Sequence, residues 1–397
     1  MSDYADKLIA EVEVLQQLKN NPQLFDVLTN HSGSELSLQQ TLRTQFEPAV
    51  VTTAISLHEA RQRAVGKLPN AEQLWLTRVG LEQATAWEVA QHKAARFPVN
   101  EPVRDLCSGI GVDTAALLSR GPVTAVDISE AMRLRCLWNN EIWNPDAQLE
   151  FVVHDVQCHD LTGKLIHVDP DRRVGRERAV KRLEQYVPNL GWMQSTIQSA
   201  AGGAIKLGPA SNFMQKFPSC EIELISLHGE CREATVWFGS LAGEHSFRAT
   251  HLPSGETISA EPLSAWCPVA DDVQEYLCDP DPALVRSGLI DVIGELNSLR
   301  RMDKEEEYFT GGIVPATSFL TAYRVEAVLP NNFRDLKRHL RENPGRDYEI
   351  KCRRLSIDAN SIQKKLPRGE GPVRVLFFVR LAGKARIVVT QRVKKSA

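Results

Sequence analysis

The sequence has no C-x-x-C pair: its eight cysteines (Cys107, Cys136, Cys158, Cys220, Cys231, Cys267, Cys278 and Cys352) are scattered along the chain. Disulfide frameworks and zinc sites need clustered thiols, so reduced core cysteines are expected and a structural metal is not. The ten histidines show no ligand spacing either. No apolar run approaches the ~20 residues that cross a bilayer, which excludes a membrane-spanning helix. The start, MSDYADKLIAEVEVLQQL, lacks the basic-then-apolar order of a secretory signal and reads as an amphipathic helix, so a cytoplasmic protein is expected. There is no internal repeat and no low-complexity tract.

What is present is the composition of an ordinary globular chain, 43% hydrophobic and 24% charged over 397 residues. That length exceeds one comfortable core, because domains usually run ~100–200 residues. The net charge is only −3, but it is unevenly spread. From Asn331 to Ala397 there are 18 Lys/Arg against 6 Asp/Glu, a net +12, which leaves −15 on residues 1–330. A basic terminal module on an acidic body is expected where one part attracts a polyanion and another does chemistry.

Residues 1–96 read as helices, with apolar positions at helical spacing in DKLIAEVEVLQQL and again in LWLTRVGLEQATAWEVAQHKAARF, a run that Pro98 ends. From Val99 short β-rich runs alternate with helical stretches: VRDLCSG, VTAVDIS, LEFVVHDV, KLIHVDP, GGAIKLGP, EIELISLHG and EATVWFG. That alternation predicts an α/β domain with a mainly parallel sheet over 97–270. HSFRATHL and ETISAEP, joined by Pro-Ser-Gly, read as a hairpin at its end. A new α+β unit is expected over 271–397, with Asp281 as N-cap and Pro282 as first residue of a helix.

The densest motif is DLCSGIGVD, residues 105–113. Glycines at Gly109 and Gly111, between a strand and a helix, let a ligand approach the backbone closely. Asp127 closes the next strand, where a carboxylate can accept both hydroxyls of a ribose. A dinucleotide fingerprint would carry a third glycine; Val112 and Asp113 stand there instead, poor for a pyrophosphate and suited to a cationic amino-acid group.

This arrangement resembles the class I S-adenosylmethionine-dependent methyltransferases over residues 99–245. The resemblance implies a Rossmann-like fold with a mainly parallel seven-stranded sheet and S-adenosyl-L-methionine as cofactor. It would place Asp105, Cys107, Gly109, Gly111 and Asp113 on the methionine and ribose side, Asp127 and Ile128 at the ribose, and Asp155 and Val156 at the adenine. Asp169, in HVDPDRR, would stand beside the transferred methyl. The whole chain also resembles bacterial methyltransferase-like proteins with a C-terminal THUMP-like domain, carried by ATAWEVAQHKAARF, DLCSGIGVDT, HVDPDRR, GGAIKLGPA, YLCDPDPALVRSGL and YEIKCRRL. That resemblance implies an RNA partner, tRNA or rRNA.

The acceptor is constrained by further absences. No aromatic follows Asp169-Pro170, as base-stacking amino-group methyltransferases have, and no cysteine follows AIKLGPASNF, as carbon-5 pyrimidine methyltransferases require. Similarity to the FtsJ-like ribose 2′-O-methyltransferases would make Lys93, Asp169, Lys206 and Glu233 a Lys-Asp-Lys-Glu set around a ribose hydroxyl. Each member also has an ordinary reading, as an exposed helix cation, an internal ion pair or a strand-edge charge. Arg172 and Arg173 either clamp a substrate phosphate or pair with Asp171 and Glu177. Arg353, Arg354, Lys364 and Lys365 are the expected phosphate contacts of the basic module. Two rival readings stay open: a small-molecule or protein methyltransferase, and a binder of the adenosyl ligand without turnover.

Overall fold

A computed structural model describes residues 2–173 and 179–393. The chain divides into two compact units. The first runs to Cys220 and takes in Thr235–Gly243; the second holds Glu221–Ala234 and the chain from Glu244 onward.

The first unit begins with α1 (Ser2–Asn20), α2 (Gln23–Asn30), α3 (Glu35–Leu42) and α4 (Pro48–Ala64). The apolar run that follows is not one helix: it breaks into a 3-10 turn at Ala71–Gln73, α5 (Arg78–Gln83) and α6 (Trp87–Ala94). One cause of the break is local and the others come from distant residues. Thr77 caps α5 by accepting from Gly80 N at 2.9 Å, and the Thr85 hydroxyl donates to Asp113 Oδ2. Buried Asn139 then ties this stretch down, accepting from Trp75 N at 2.6 Å and donating to Trp75 O at 3.2 Å.

Five parallel strands follow: β1 (Val103–Leu106), β2 (Val123–Asp127), β3 (Leu149–Val153), β4 (Leu165–Val168) and β5 (Gly202–Leu207). Between them lie α7 (Val112–Leu118), α8 (Glu130–Trp143) and α9 (Leu190–Ser199). Their spatial order is β3-β2-β1-β4-β5. The strand order reverses between β1 and β4, and a crevice opens at the carboxyl ends of strands at such a point. Leu15 and Leu18 of α1, Val50 and Leu57 of α4, and Leu74 share one hydrophobic cluster with Val103, Val123 and Ala204 of the sheet. The N-terminal helices therefore complete the core of the α/β unit.

The second unit contains β6 (Glu221–Leu227) and the start of β7 (Glu230–Gly239). β8 (Phe247–Leu252) runs parallel to β6 and forms the expected hairpin with β9 (Glu256–Ala260). β10 (Tyr276–Pro280), α10 (Pro282–Ser287), α11 (Ile290–Leu296), β11 (Arg300–Arg301), β12 (Phe309–Gly311) and β13 (Leu320–Pro330) lead to α12 (Phe333–Glu342). β14 (Gly345–Cys352), α13 (Ala359–Lys364), β15 (Arg368–Leu381) and β16 (Lys384–Arg392) close the chain. Asp281 caps α10 as its sequence signal predicts, accepting from Ala283 N at 2.8 Å. The last seven strands form one mixed sheet in the order β11-β12-β10-β13-β16-β15-β14. Its two faces are both covered: Val375 and Phe377 pack with Tyr308 and Tyr323, while Leu376 and Phe378 pack with Leu336 and Leu340 of α12.

Candidate active site

The turn after β1 is shaped by backbone that ordinary residues rarely adopt. Gly111 has φ of 87°, and a Cβ there would stand 2.6 Å from Cys136 Sγ. Gly109, at φ 54°, has open space where its Cβ would be. Cys107 also takes a left-handed conformation, with φ of 61°. Its thiol is pushed well up by burial and by Asp127, Asp169 and Asp105, so it stays protonated.

Asp127 ends β2 opposite this turn. Its Oδ2 accepts from Gly109 N at 3.0 Å and its Oδ1 from Ser129 N at 3.0 Å. Burial raises its carboxyl above the usual aspartate range, and those same backbone donors oppose the rise. Each oxygen keeps a lone pair for a further donor.

A cavity of about 360 Å³ opens here, within the size range of small-molecule sites. Cys107, Gly109, Asp113, Asp127, Ile128, Asp155 and Val156 line it; Asp105 and Gly111 lie behind the wall. Asp155 caps the 3-10 turn Val156–Cys158 by accepting from Gln157 N at 2.9 Å. Ile128 is 68% exposed at the cavity, an apolar surface suited to the face of an adenine. Ser108 Oγ, also on the lining, is buried with only the weak Cys136 thiol as a partner among the described residues, which leaves it able to bond a ligand. These features fit a sulfonium nucleoside.

Beneath the turn lies a buried ionic network. Asp105 Oδ1 bonds His167 Nδ1 at 2.8 Å and its other oxygen accepts from Thr114. His167 Nε2 faces Lys93 Nζ at 3.3 Å, and Lys93 pairs with Asp113 Oδ1 at 2.9 Å. Burial alone would raise the Asp113 carboxyl, but Lys93, then His167 and Lys206, together with the Thr85 hydroxyl, hold it far below the usual range.

The four residues of the Lys-Asp-Lys-Glu set are not gathered at the cavity. Asp169 lines it, with Lys206 donating to its Oδ2 at 2.7 Å and to Gln83 O at 2.8 Å. Lys93, expected on an exposed helix face or at the acceptor, is instead 1% exposed and bound into the ionic network. Glu233 is buried on β7 within the second unit and is not on the lining. The two arginines after β4 also separate. Arg173 reaches Glu82 at 2.8 Å, whereas Arg172 lines the cavity beside Asp169 and pairs with none of the described residues. Glu177, the alternative partner, lies outside the described residues.

Two contributions escaped the sequence. Thr77, Gly80, Gln83 and Thr85, from the broken helical stretch, form one side of the cavity. His167 sits two residues before Asp169 in a motif already singled out, and only the pairing of β1 with β4 brings it against Asp105. The one local signal for the first was Thr77, a capping residue inside an apolar helical run.

Comparison with known proteins settles the class. An S-adenosylmethionine-dependent methyltransferase of Mycobacterium tuberculosis, strain CDC 1551, itself uncharacterised, is 31% identical over 330 residues, 80% of this chain and 89% of its own. The counterpart in strain H37Rv matches equally. The chain belongs to the S-adenosylmethionine-dependent methyltransferases. The methyltransferase shares its fold with a solved structure from Porphyromonas gingivalis W83, a candidate methyltransferase, at a TM-score of 0.72 and 18% identity over 88% of this chain and 92% of that one. Residues 320–392 match the THUMP domain-like family. Bound S-adenosylmethionine supplies an electrophilic methyl group, and the enzyme's own residues place the acceptor and manage its proton.

Within the THUMP-like region of the methyltransferase, the four expected phosphate contacts also divide. Arg353 is engaged internally, with Asp279 Oδ1 at 2.8 Å and the Tyr308 ring beneath it, and Arg354 pairs with Glu307. Lys364 and Lys365, at the end of α13, are exposed. Among the described residues no helix is long and apolar enough to cross a membrane, and no group of three or more His, Cys, Asp or Glu is placed to hold a metal.

Proposed function

We propose that this methyltransferase modifies RNA, tRNA or rRNA, docking it through the basic C-terminal module. The observation that carries the reading is the exposed cationic face of the THUMP-like region. Arg334, Arg338 and Arg341 project from α12 opposite buried Leu336 and Leu340, and Lys364 and Lys365 extend from α13. Such a face suits phosphates; the aromatic among its cations, Phe333, packs against the core with Lys337 Nζ 4.7 Å from its ring centre. At the cavity, Asp169 Oδ1 makes no hydrogen bond to a described residue while Lys206 holds Oδ2. That free oxygen suits an acceptor bearing an O–H, such as a ribose hydroxyl, whose hydrogen it would accept as the methyl approaches. Lys93 has no part in this step, being locked against Asp113.

The experiment is transfer of labelled methyl from S-adenosylmethionine into RNA from cells lacking the protein. Incorporation is expected, falling about 100-fold or more in Asp169→Asn with S-adenosylhomocysteine affinity retained. Incorporation into small molecules or protein but not RNA would overturn the RNA reading.

A further inference from the structure

We propose that the segments following β4 and β5 build an anion subsite beside Asp169, in which Arg172 on the cavity wall, backed by the Tyr186–Ser211 hydroxyl pair at Gly208, receives a phosphate group of the methyl acceptor. Only the source of that phosphate rests on the RNA reading; the subsite itself stands on local geometry.

Three polar atoms converge on one glycine. At Gly208, just after β5, a Cβ would stand 2.7 Å from Arg172 Nη1, 3.1 Å from Ser211 Oγ and 3.4 Å from the Tyr186 hydroxyl. Glycine is what lets the guanidinium lie against this backbone. The Tyr186 and Ser211 hydroxyls bond each other. Two hydroxyls carry two protons, and the bond between them uses one, so one remains to be donated. The Arg172 guanidinium adds N–H donors and no acceptor. A cluster with donors to spare and a positive charge calls for an anion.

Among the described residues the local carboxylates are engaged elsewhere. Asp169 is held by Lys206 at 2.7 Å. Asp171 Oδ1 accepts from Gln83 Nε2 at 3.0 Å and from Arg173 N at 2.8 Å. Arg173, Lys206 and Lys216 all have acidic partners, while Arg172, half-buried in the same neighbourhood, has none among the described residues. A half-buried guanidinium on a cavity wall, with no counter-ion among the described residues, stands ready for an anionic ligand.

The subsite is also preformed. Val180 N donates to Arg172 O at 2.8 Å, Asn212 N to Lys181 O at 3.1 Å, and Leu183 N to Asn212 Oδ1 at 2.9 Å, fastening the two segments together. Tyr186 is 1% exposed and cannot swing away. Lys181 and Arg182, both exposed, extend the positive field outward from the cluster. Arg172 and Asp169 share the cavity, so an acceptor whose hydroxyl meets Asp169 would present a neighbouring phosphate to Arg172. Arg suits this role better than Lys because its fork can grip two phosphate oxygens.

The test uses the full chain loaded with S-adenosylhomocysteine, wild type against Arg172→Ala and Gly208→Ala. Gly208→Ala keeps the charge but pushes the guanidinium out of place. Equilibrium dialysis with labelled inorganic phosphate at low salt is expected to show one site in wild type that both variants weaken about tenfold or more, with S-adenosylhomocysteine affinity unchanged. Equal phosphate binding by wild type and Arg172→Ala would overturn the subsite, whether or not Gly208→Ala folds. Methyl transfer into the RNA pool then identifies the source. A raised KM for RNA in Arg172→Ala, with kcat nearly kept and partial recovery in Arg172→Lys, supports an RNA phosphate. Site-specific phosphate binding without any RNA methylation would leave the subsite standing and remove RNA as its source.

Discussion

At the scale of single residues, Asp127 makes the sharpest prediction. Its carboxyl is raised by burial, so folding favours the protonated form: the associated stability is complete below the ordinary midpoint of 3.8 and is lost as pH rises through the raised value. With Asp127 in its proposed role as ribose acceptor, cofactor binding runs the other way, because ribose hydroxyls donate best to the ionised oxygens. Calorimetry is expected to show S-adenosylhomocysteine affinity falling with acidity from a pH above 3.8, and Asp127→Asn to flatten that limb while weakening binding about tenfold or more. Asp127 was legible because two local patterns, the glycine turn and an acid closing the following strand, have one common chemical use. Lys93 was not legible as a buried group. Its place near the end of a helical run looks the same in sequence whether it meets water or Asp113, and only the fold reduces its exposure to 1%.

At the scale of elements, the junction between α5 and α6 governs the site. The interruption at Ala84–Ala86 turns Thr85 toward Asp113 and leaves Gln83 O to receive Lys206, so one short connector holds an acid on each side of the cavity. Sequence periodicity joined these helices because apolar residues continue through the gap. The partners that break the run lie 28 and 123 residues away, beyond any window. Lys93→Met should expose the cost of this arrangement, since it removes the directly paired cation from buried Asp113 and leaves only His167, Lys206 and the Thr85 hydroxyl to compensate it. A loss of about 3–5 kcal/mol in denaturant unfolding is expected. The same pairing sets an acid limit. Asp113 sits far below its usual value, so its contribution is complete above 3.8 and is lost as pH falls toward the depressed value. Thermal denaturation should show the Lys93→Met penalty shrinking in strong acid.

At the scale of the whole molecule, the division of charge carries the functional argument. The surplus of +12 from Asn331 onward was countable from the sequence, but which cations stay available was not. Arg353 and Arg354 are taken up by Asp279 and Glu307 from earlier elements, while Lys364 and Lys365 remain exposed. The two pairs should therefore respond differently. Replacing both lysines by alanine is expected to weaken binding of bulk tRNA and to reduce the slope of log affinity against log salt by about 2. Arg353→Ala should mainly lower stability, because Asp279 loses a partner and the Tyr308 ring its cover. An unchanged salt slope in the lysine variant would move the docking face elsewhere. The strand sequence was legible up to β9, where β-rich runs are punctuated by glycine and proline, but of the last seven strands only VRVLFFVR and ARIVVTQRV, in β15 and β16, stood out. The dual burial of β15 was not legible, since VRVLFFVR reads equally well as a strand with one wet face.

The 3-10 turn that Asp155 opens ends at Cys158, the exposed thiol among eight unpaired cysteines. The wild-type enzyme thus carries its own attachment point for a maleimide dye, three residues from a carboxylate on the cavity wall. Fluorescence from that position would follow occupancy of the nucleoside site in the unaltered chain.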